Sequence, residues 1–272
     1  MRMRSVLAFA VGLVLLPAAA AADAAATPVA AVRPWQSAGA VLAATIADVN
    51  ASDIRAVERH LADLEQALAG AKDAVLATRP ATGDLTVLTD GTADVLMSLT
   101  AASLAAKKSG SAQNAVAVND PYPLIALYLG SYYDEIGKPD DAARVLDAGL
   151  AIYGMDGYIS PLGEHKSWLM LERSAASNSL KRFDDTLAIT DKGIAMTGQP
   201  VQIQAHFYRN RGFALTELGR LDEAEQAYRD SLKLVPDNAT ALDELKYIAQ
   251  LRAGGANRPG GLKPLAHPAP GP

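Results

Sequence analysis

Apolar positions recur every three or four residues through most of this chain, the rhythm of helices packed on one side. The clearest stretch is 205–238. Leu215 and Leu218 lie three apart there, Tyr228 and Leu232 four apart, with Leu221 between the pairs. Gly219 separates two helical segments, where a C′ residue in the left-handed region suffers no Cβ clash if it is glycine. Asp222 and Glu223 open the second segment, where carboxylates suit the free N–H groups and the positive dipole end. Pro236 closes it. Gly212 and Ala224 lack bulk, so the two helices are expected to approach closely.

The same pattern recurs upstream. In 123–156, Leu129-Gly130, Tyr133, Gly137, Ala142, Leu146 and Leu150 fall where Arg211-Gly212, Leu215, Gly219, Ala224, Tyr228 and Leu232 fall later. The middle copy, 167–200, is degenerate: Ser174 replaces the first-helix glycine, Lys181 the turn glycine and Thr186 the second-helix alanine. It keeps Phe183, Leu187 and Ile194, with Asp184-Asp185 at the second-helix start. The intervals from Gly130 to Ser174 and from Ser174 to Gly212 both exceed 34 residues, so extra residues lie between repeats. The larger insertion covers 157–166 and contains Tyr158, Pro161, Gly163 and His165, a surface loop in the simplest reading.

This spacing of small and aromatic positions resembles the tetratricopeptide repeat (TPR) family, whose period is about 34 residues. The resemblance implies an all-α, TPR-like α-solenoid, a right-handed superhelix of helix hairpins. One hairpin cannot bury its own apolar face, so roughly three or more must stack. It also implies a concave groove lined by the first helices, accepting an extended peptide or a partner's helix. Placed on that pattern, the first copy offers Leu124, Leu127, Tyr128, Ser131, Asp134 and Glu135. The middle copy offers Trp168, Leu171, Glu172, Ala175 and Asn178, and the last His206, Arg209, Asn210, Phe213 and Glu217. Tyr128 is the candidate aromatic anchor, whereas Tyr133 falls at a packing position. Arg209-Asn210 joins a guanidinium that forks onto a carboxylate to an amide that can bond a peptide backbone. The pair resembles TPR domains that clamp a terminal carboxylate, but the companion cations on the earlier helices are absent.

Outside the repeats, MRMR, an apolar run from Val6 to Leu16, Pro17 and small residues to Ala22 have the layout of a secretory signal peptide over 1–22. The run is shorter than the roughly 20 residues of a membrane span, so no span is expected after cleavage. Residues 23–35 read as a linker and 36–116 as an N-terminal helical region. Within it, helices are expected at 36–49, at 52–77 with Ser52 as N-cap, and at 93–106. A short extended piece is expected at 85–88, and a polar connector at 107–114. The 52–77 helix carries Ile54, Val57, Leu61, Leu64, Leu68, Ala71 and Val75 at alternating spacings of three and four. That row either packs inside the domain or forms a homodimer seam. The repeat domain spans 119–252. Its last helix, 240–252, is expected to cap the stack, and 254–272 to be a Gly- and Pro-rich disordered tail.

Composition narrows the function classes. With no cysteine, an exported chain must be held by packing alone, and no lipoprotein anchor can form. A net charge of −5, with no Lys/Arg cluster, argues against nucleic acid as a partner. His60, His165, His206 and His267 are scattered, and no zinc, nucleophile-elbow or phosphate-loop motif is present. The paired acids at Asp140, Asp184 and Asp222 recur at helix starts, as capping requires, and do not converge on one site. The reading is a non-enzymatic adaptor or scaffold without metal or cofactor, binding a protein or peptide in the bacterial cell envelope. The site would comprise Tyr128, Ser131, Trp168, Glu172, Asn178, His206, Arg209, Asn210 and Phe213. The alternative is a structural subunit that self-associates through 52–77.

Overall fold

The computed structural model describes residues 29–77, 85–89, 115–155 and 164–255. The signal-peptide stretch, the 93–106 helix, the 107–114 connector, most of the 157–166 insertion and nearly all of the tail lie outside them. The described chain is helical apart from one strand pair. In order it forms α1 (Val29–Ala51), a 3₁₀ segment (Ile54–His60), α2 (Leu61–Ala77), β1 (Leu85–Thr89) and β2 (Ala115–Asn119). Next come α3 (Tyr122–Glu135), α4 (Pro139–Ile152), α5 (Glu164–Ser179) and α6 (Phe183–Ala195). The chain continues through α7 (Val201–Glu217) and α8 (Leu221–Leu234) to α9 (Ala239–Arg252).

The three expected hairpins are α3/α4, α5/α6 and α7/α8, and they stack in series as an α-solenoid. Each incoming first helix packs on both helices of the hairpin before it: α5 on α3 and α4, α7 on α5 and α6. The N-terminal helices obey the same rule, because α3 packs against α1, the 3₁₀ segment and α2. They therefore occupy the place of a preceding unit. One large core joins α1, α2, α3 and α4 through Leu42, Val57, Leu64, Ile125 and Leu146. At the other end Leu215, Tyr228 and Ile248 close α7, α8 and α9 together.

Each hairpin turns in the same way. The N–H of Lys138 donates to Tyr133 O at 2.8 Å, that of Arg182 to Ser177 O at 2.9 Å and that of Arg220 to Leu215 O at 2.8 Å. Together with the bonds from Gly137, Lys181 and Gly219 one residue earlier, these are Schellman closures of the first helices. The residue at the turn must be left-handed: φ is +72° at Gly137, +73° at Gly219 and +58° at Lys181. Lys181 thus holds the glycine conformation with a side chain attached.

Small residues also sit where successive hairpins meet. A Cβ on Gly193 of α6 would lie 2.5 Å from the Phe207 ring of α7, and one on Gly149 of α4, which would meet Ala126 of its own hairpin, would also lie 3.3 Å from Leu169 of α5. The extra residues of the second interval extend α7 at its start, from Val201, by about one turn.

Several expectations need correction. The first helix begins at Val29, so the 23–35 stretch is not all linker. Asp53, not Ser52, is the N-cap, its carboxylate accepting from Arg55 N at 2.9 Å, and the helix it opens starts as 3₁₀. The row at 52–77 is spent inside the chain: Val57 and Leu64 are fully buried, and Ile54, Leu68, Ala71 and Val75 are at most 5 % exposed. A homodimer seam through that face would have to break this core. The extended piece at 85–88 is β1, and its parallel partner β2, in register Leu85 with Ala115, was not foreseen.

The capping helix is present, opened by Asn238, whose side chain accepts from Ala241 N at 3.0 Å. Ala241 and Ile248 cover the end of the stack. Arg252 ties it to Asp222 and Glu225 of α8.

Candidate functional site: the inner faces of the first helices

The nine residues placed on the groove pattern all lie on α3, α5 and α7, but the structure does not leave them open. Tyr128, Ser131 and Asn210 are at most 1 % exposed, and Asn178, Glu172, Arg209 and His206 between 3 and 7 %. Only Trp168 and Phe213 are half-buried. Leu124, Leu127 and Leu171 are buried too, while Glu135 and Glu217 are exposed. The expectation of a solvent-lined groove is therefore corrected. The periodic pattern places a residue on a face and says nothing of what lies over that face. In α3 every residue from Tyr122 to Tyr133 is buried, including both its long sides.

These residues divide by hydrogen bonding. Asn178 is satisfied: its Nδ2 donates to Asn210 O at 3.4 Å and its Oδ1 accepts from Thr186 Oγ1 at 2.9 Å. It braces α5 against α6 and α7. The residues that made the middle repeat look degenerate complete this network. Thr186 Oγ1 also reaches Ser174 O at 3.2 Å, and Asn210 Nδ2 donates to Ser174 Oγ at 2.8 Å and Leu171 O at 3.5 Å. Sequence reading took Ser174 and Thr186 as losses. Their signal was that both replacements carry a hydroxyl.

Four of the others each hold a polar atom with nothing to bond. Tyr128 Oη, Ser131 Oγ, Glu172 Oε1 and Asn210 Oδ1 are buried with no hydrogen-bond partner. Burial alone pushes the Glu172 carboxyl up to about 7, because no neighbouring cation offsets the lost hydration. It also pushes the Tyr128 phenol upward and draws the Arg209 guanidinium down to about 10, despite a small opposing effect of Tyr228. Arg209 reaches Ser231 Oγ at 3.4 Å and has no carboxylate partner. Burying such groups unpaired costs about 1–3 kcal/mol each.

Three of the four unpaired atoms occupy one position of the repeat. Tyr128, Glu172 and Asn210 stand at equivalent places on α3, α5 and α7, two residues before Gly130, Ser174 and Gly212. Elsewhere, among the described residues no cluster of His, Asp and Glu could hold a metal ion, and no helix is long and apolar enough to cross a membrane.

Comparison with known proteins names the unit. A family model described as Tetratricopeptide repeat matches residues 205–238. The chain carries a tetratricopeptide repeat. The TPR unit so matched is α7/α8 with the turn into α9, and the fold around it is a TPR-like α-solenoid. Among curated proteins none matches the chain. Among solved structures it is similar to the first TPR domain of the human RPAP3 protein, at 27% identity and TM-score 0.41, over 49% of this chain and 94% of that one. It is also similar to the first TPR of Spaghetti (RPAP3) bound to the HSP90 peptide SRMEEVD, at 27% identity and TM-score 0.41, over 50% and 97%. The second TPR domain of human RPAP3 in complex with the HSP70 peptide SGPTIEEVD is 24% identical, with TM-score 0.38, over 47% and 98%.

Proposed function

We propose that this chain is an exported adaptor of the bacterial cell envelope that binds an extended polypeptide segment along the stacked first helices. The observation that carries the reading is the recurrence of unpaired polar atoms at Tyr128, Glu172 and Asn210 on three consecutive first helices. An extended chain presents N–H and C=O groups at regular intervals, which suits a row of such atoms along a solenoid. Binding rests on shape and hydrogen bonding, without turnover, and requires whatever screens this face to move aside. Trp168 and Phe213, half-buried on the same helices, are the parts a segment reaches first. Export is supported by the basic start, the apolar run from Val6 to Leu16 and the small residues to Ala22.

Panning a random peptide display library against the mature chain tests this. Selected peptides are expected to shift Trp168 emission saturably and to bind Phe213→Ala less tightly. Peptides that bind without moving Trp168, and equally well to Phe213→Ala, would overturn the inner face as the site.

A further inference from the structure

Two of the unpaired atoms on the inner face belong to α5 and α7, which pack on each other, and both are acceptors. Asn210 donates through Nδ2 to Leu171 O and Ser174 Oγ. A backbone carbonyl only accepts, so the nitrogen must face α5, and Oδ1 is the atom left without a donor. Glu172 belongs to the same turn of α5, between Leu171 and Ser174. Its side chain is 4 % exposed and its Oε1 is likewise without a donor. No Lys or Arg stands within ion-pairing distance of it among the described residues. Two buried oxygens, one able to carry a full negative charge, thus lie on the packed helices α5 and α7 with no N–H donor among the described residues.

We infer that the α5/α7 seam is a subsite for a lysine side chain of the bound polypeptide segment, its ammonium held by Glu172 Oε1 and Asn210 Oδ1. This rests on the inner-face reading above and specifies the chemistry of its ligand. An ammonium fits where a neutral donor does not. It carries three N–H donors, enough to serve both oxygens, and its charge offsets the desolvation of the carboxylate. A carboxylate-bearing segment is refused at this point, since a second acceptor beside Glu172 and Asn210 leaves all of them unpaired. The long apolar stem of lysine suits a buried approach past Trp168, one turn earlier on α5.

The test uses the full mature chain and two fluorescently labelled, end-blocked peptides, one alternating alanine with lysine and the other alanine with glutamate. Anisotropy titration is expected to show saturable binding of the lysine peptide and none of the glutamate peptide. Glu172→Gln, which keeps the shape and removes the charge, is expected to weaken the lysine peptide by at least about tenfold, the effect of losing one charge-assisted bond. A thermal melt of Glu172→Gln no lower than wild type establishes that the fold is intact. The chain is acidic, so nonspecific attraction is the main rival. Lysine-peptide binding that survives Glu172→Gln unchanged overturns the subsite, as does absence of binding, in which case the two acceptors are served by buried water. Display-selected peptides that bind through Trp168 but lack basic residues and ignore Glu172→Gln would overturn this inference and leave the inner-face reading standing. Failure of every peptide would overturn both.

Discussion

Gly212 lies against the ring of Tyr228: a Cβ at position 212 would stand 2.8 Å from Cε2 and 2.9 Å from Cζ. The equivalent pair one end of the stack away is Gly130 and Leu146, where a Cβ would meet Cδ2 at 2.5 Å and Cγ at 2.6 Å. In the middle hairpin the same two positions hold Ser174 and Thr190. The first helix has gained a hydroxymethyl and the second has given up bulk, so the larger and smaller volumes at the two positions shift towards each other.

Gly130→Ala is therefore expected to destabilise the fold by about 1–3 kcal/mol, because Leu146 is buried on all sides and has nowhere to move. Leu146→Ala alone leaves a cavity. The double variant should be less destabilised than the sum of the two by at least about 1 kcal/mol in urea unfolding. Strict additivity would show that the pair is not in contact.

Lys181 occupies a left-handed turn with φ of +58°. A left-handed conformation costs a non-glycine residue roughly 1–2 kcal/mol, part of which glycine returns as unfolded-chain entropy. Lys181→Gly should raise stability by about 0.5–1 kcal/mol, and Gly219→Lys should lower it by a similar amount. Urea midpoints that move the other way would contradict the shared turn geometry.

Glu172 titrates at about 7 in the folded chain against an ordinary 4.5, because burial disfavours its charge. Between these values the folded state keeps a proton that the unfolded state has released. Stability at this group is thus greatest below about pH 4.5, falls as pH rises towards 7, and is level above it. The shift corresponds to a loss on the order of 3 kcal/mol. Glu172→Gln should remove this slope from a plot of unfolding free energy against pH. A variant with the wild-type slope would show that the carboxyl is hydrated.

Removing residues 239–272 takes away α9 and uncovers Leu215, Ala224 and Tyr228, all at most 1 % exposed when it is present. The truncated chain should melt several degrees lower and self-associate, as an uncapped solenoid end does. An unchanged melting curve would refute the capping role.

Much of the fold was legible because the hairpin turn leaves marks that depend on single residues. Gly137 and Gly219 announce left-handed turns, and Asp140, Asp184 and Asp222 announce helix starts, none needing knowledge of distant parts. Features set by remote contacts were not legible. β1 was visible as an extended piece, but its parallel partner comes from beyond a long connection. The row from Ile54 to Val75 left two alternatives because a period cannot tell a seam between chains from one within a chain. At the site, position was legible and exposure was not. Asn178 proved to be bracing, and Tyr128, Glu172 and Asn210 proved to be buried.

The cysteine-free sequence allows the inner face to be probed directly, by placing a single benzophenone label on Phe213→Cys in the first helix of the last repeat, or on Gln226→Cys in the second. Irradiation in intact cells is the most direct measurement of partner binding through the first helices. The expected result is a discrete crosslinked product from Phe213→Cys and none from Gln226→Cys. A product from Gln226→Cys alone would put the partner on the outer helices and contradict the inner face as the binding surface.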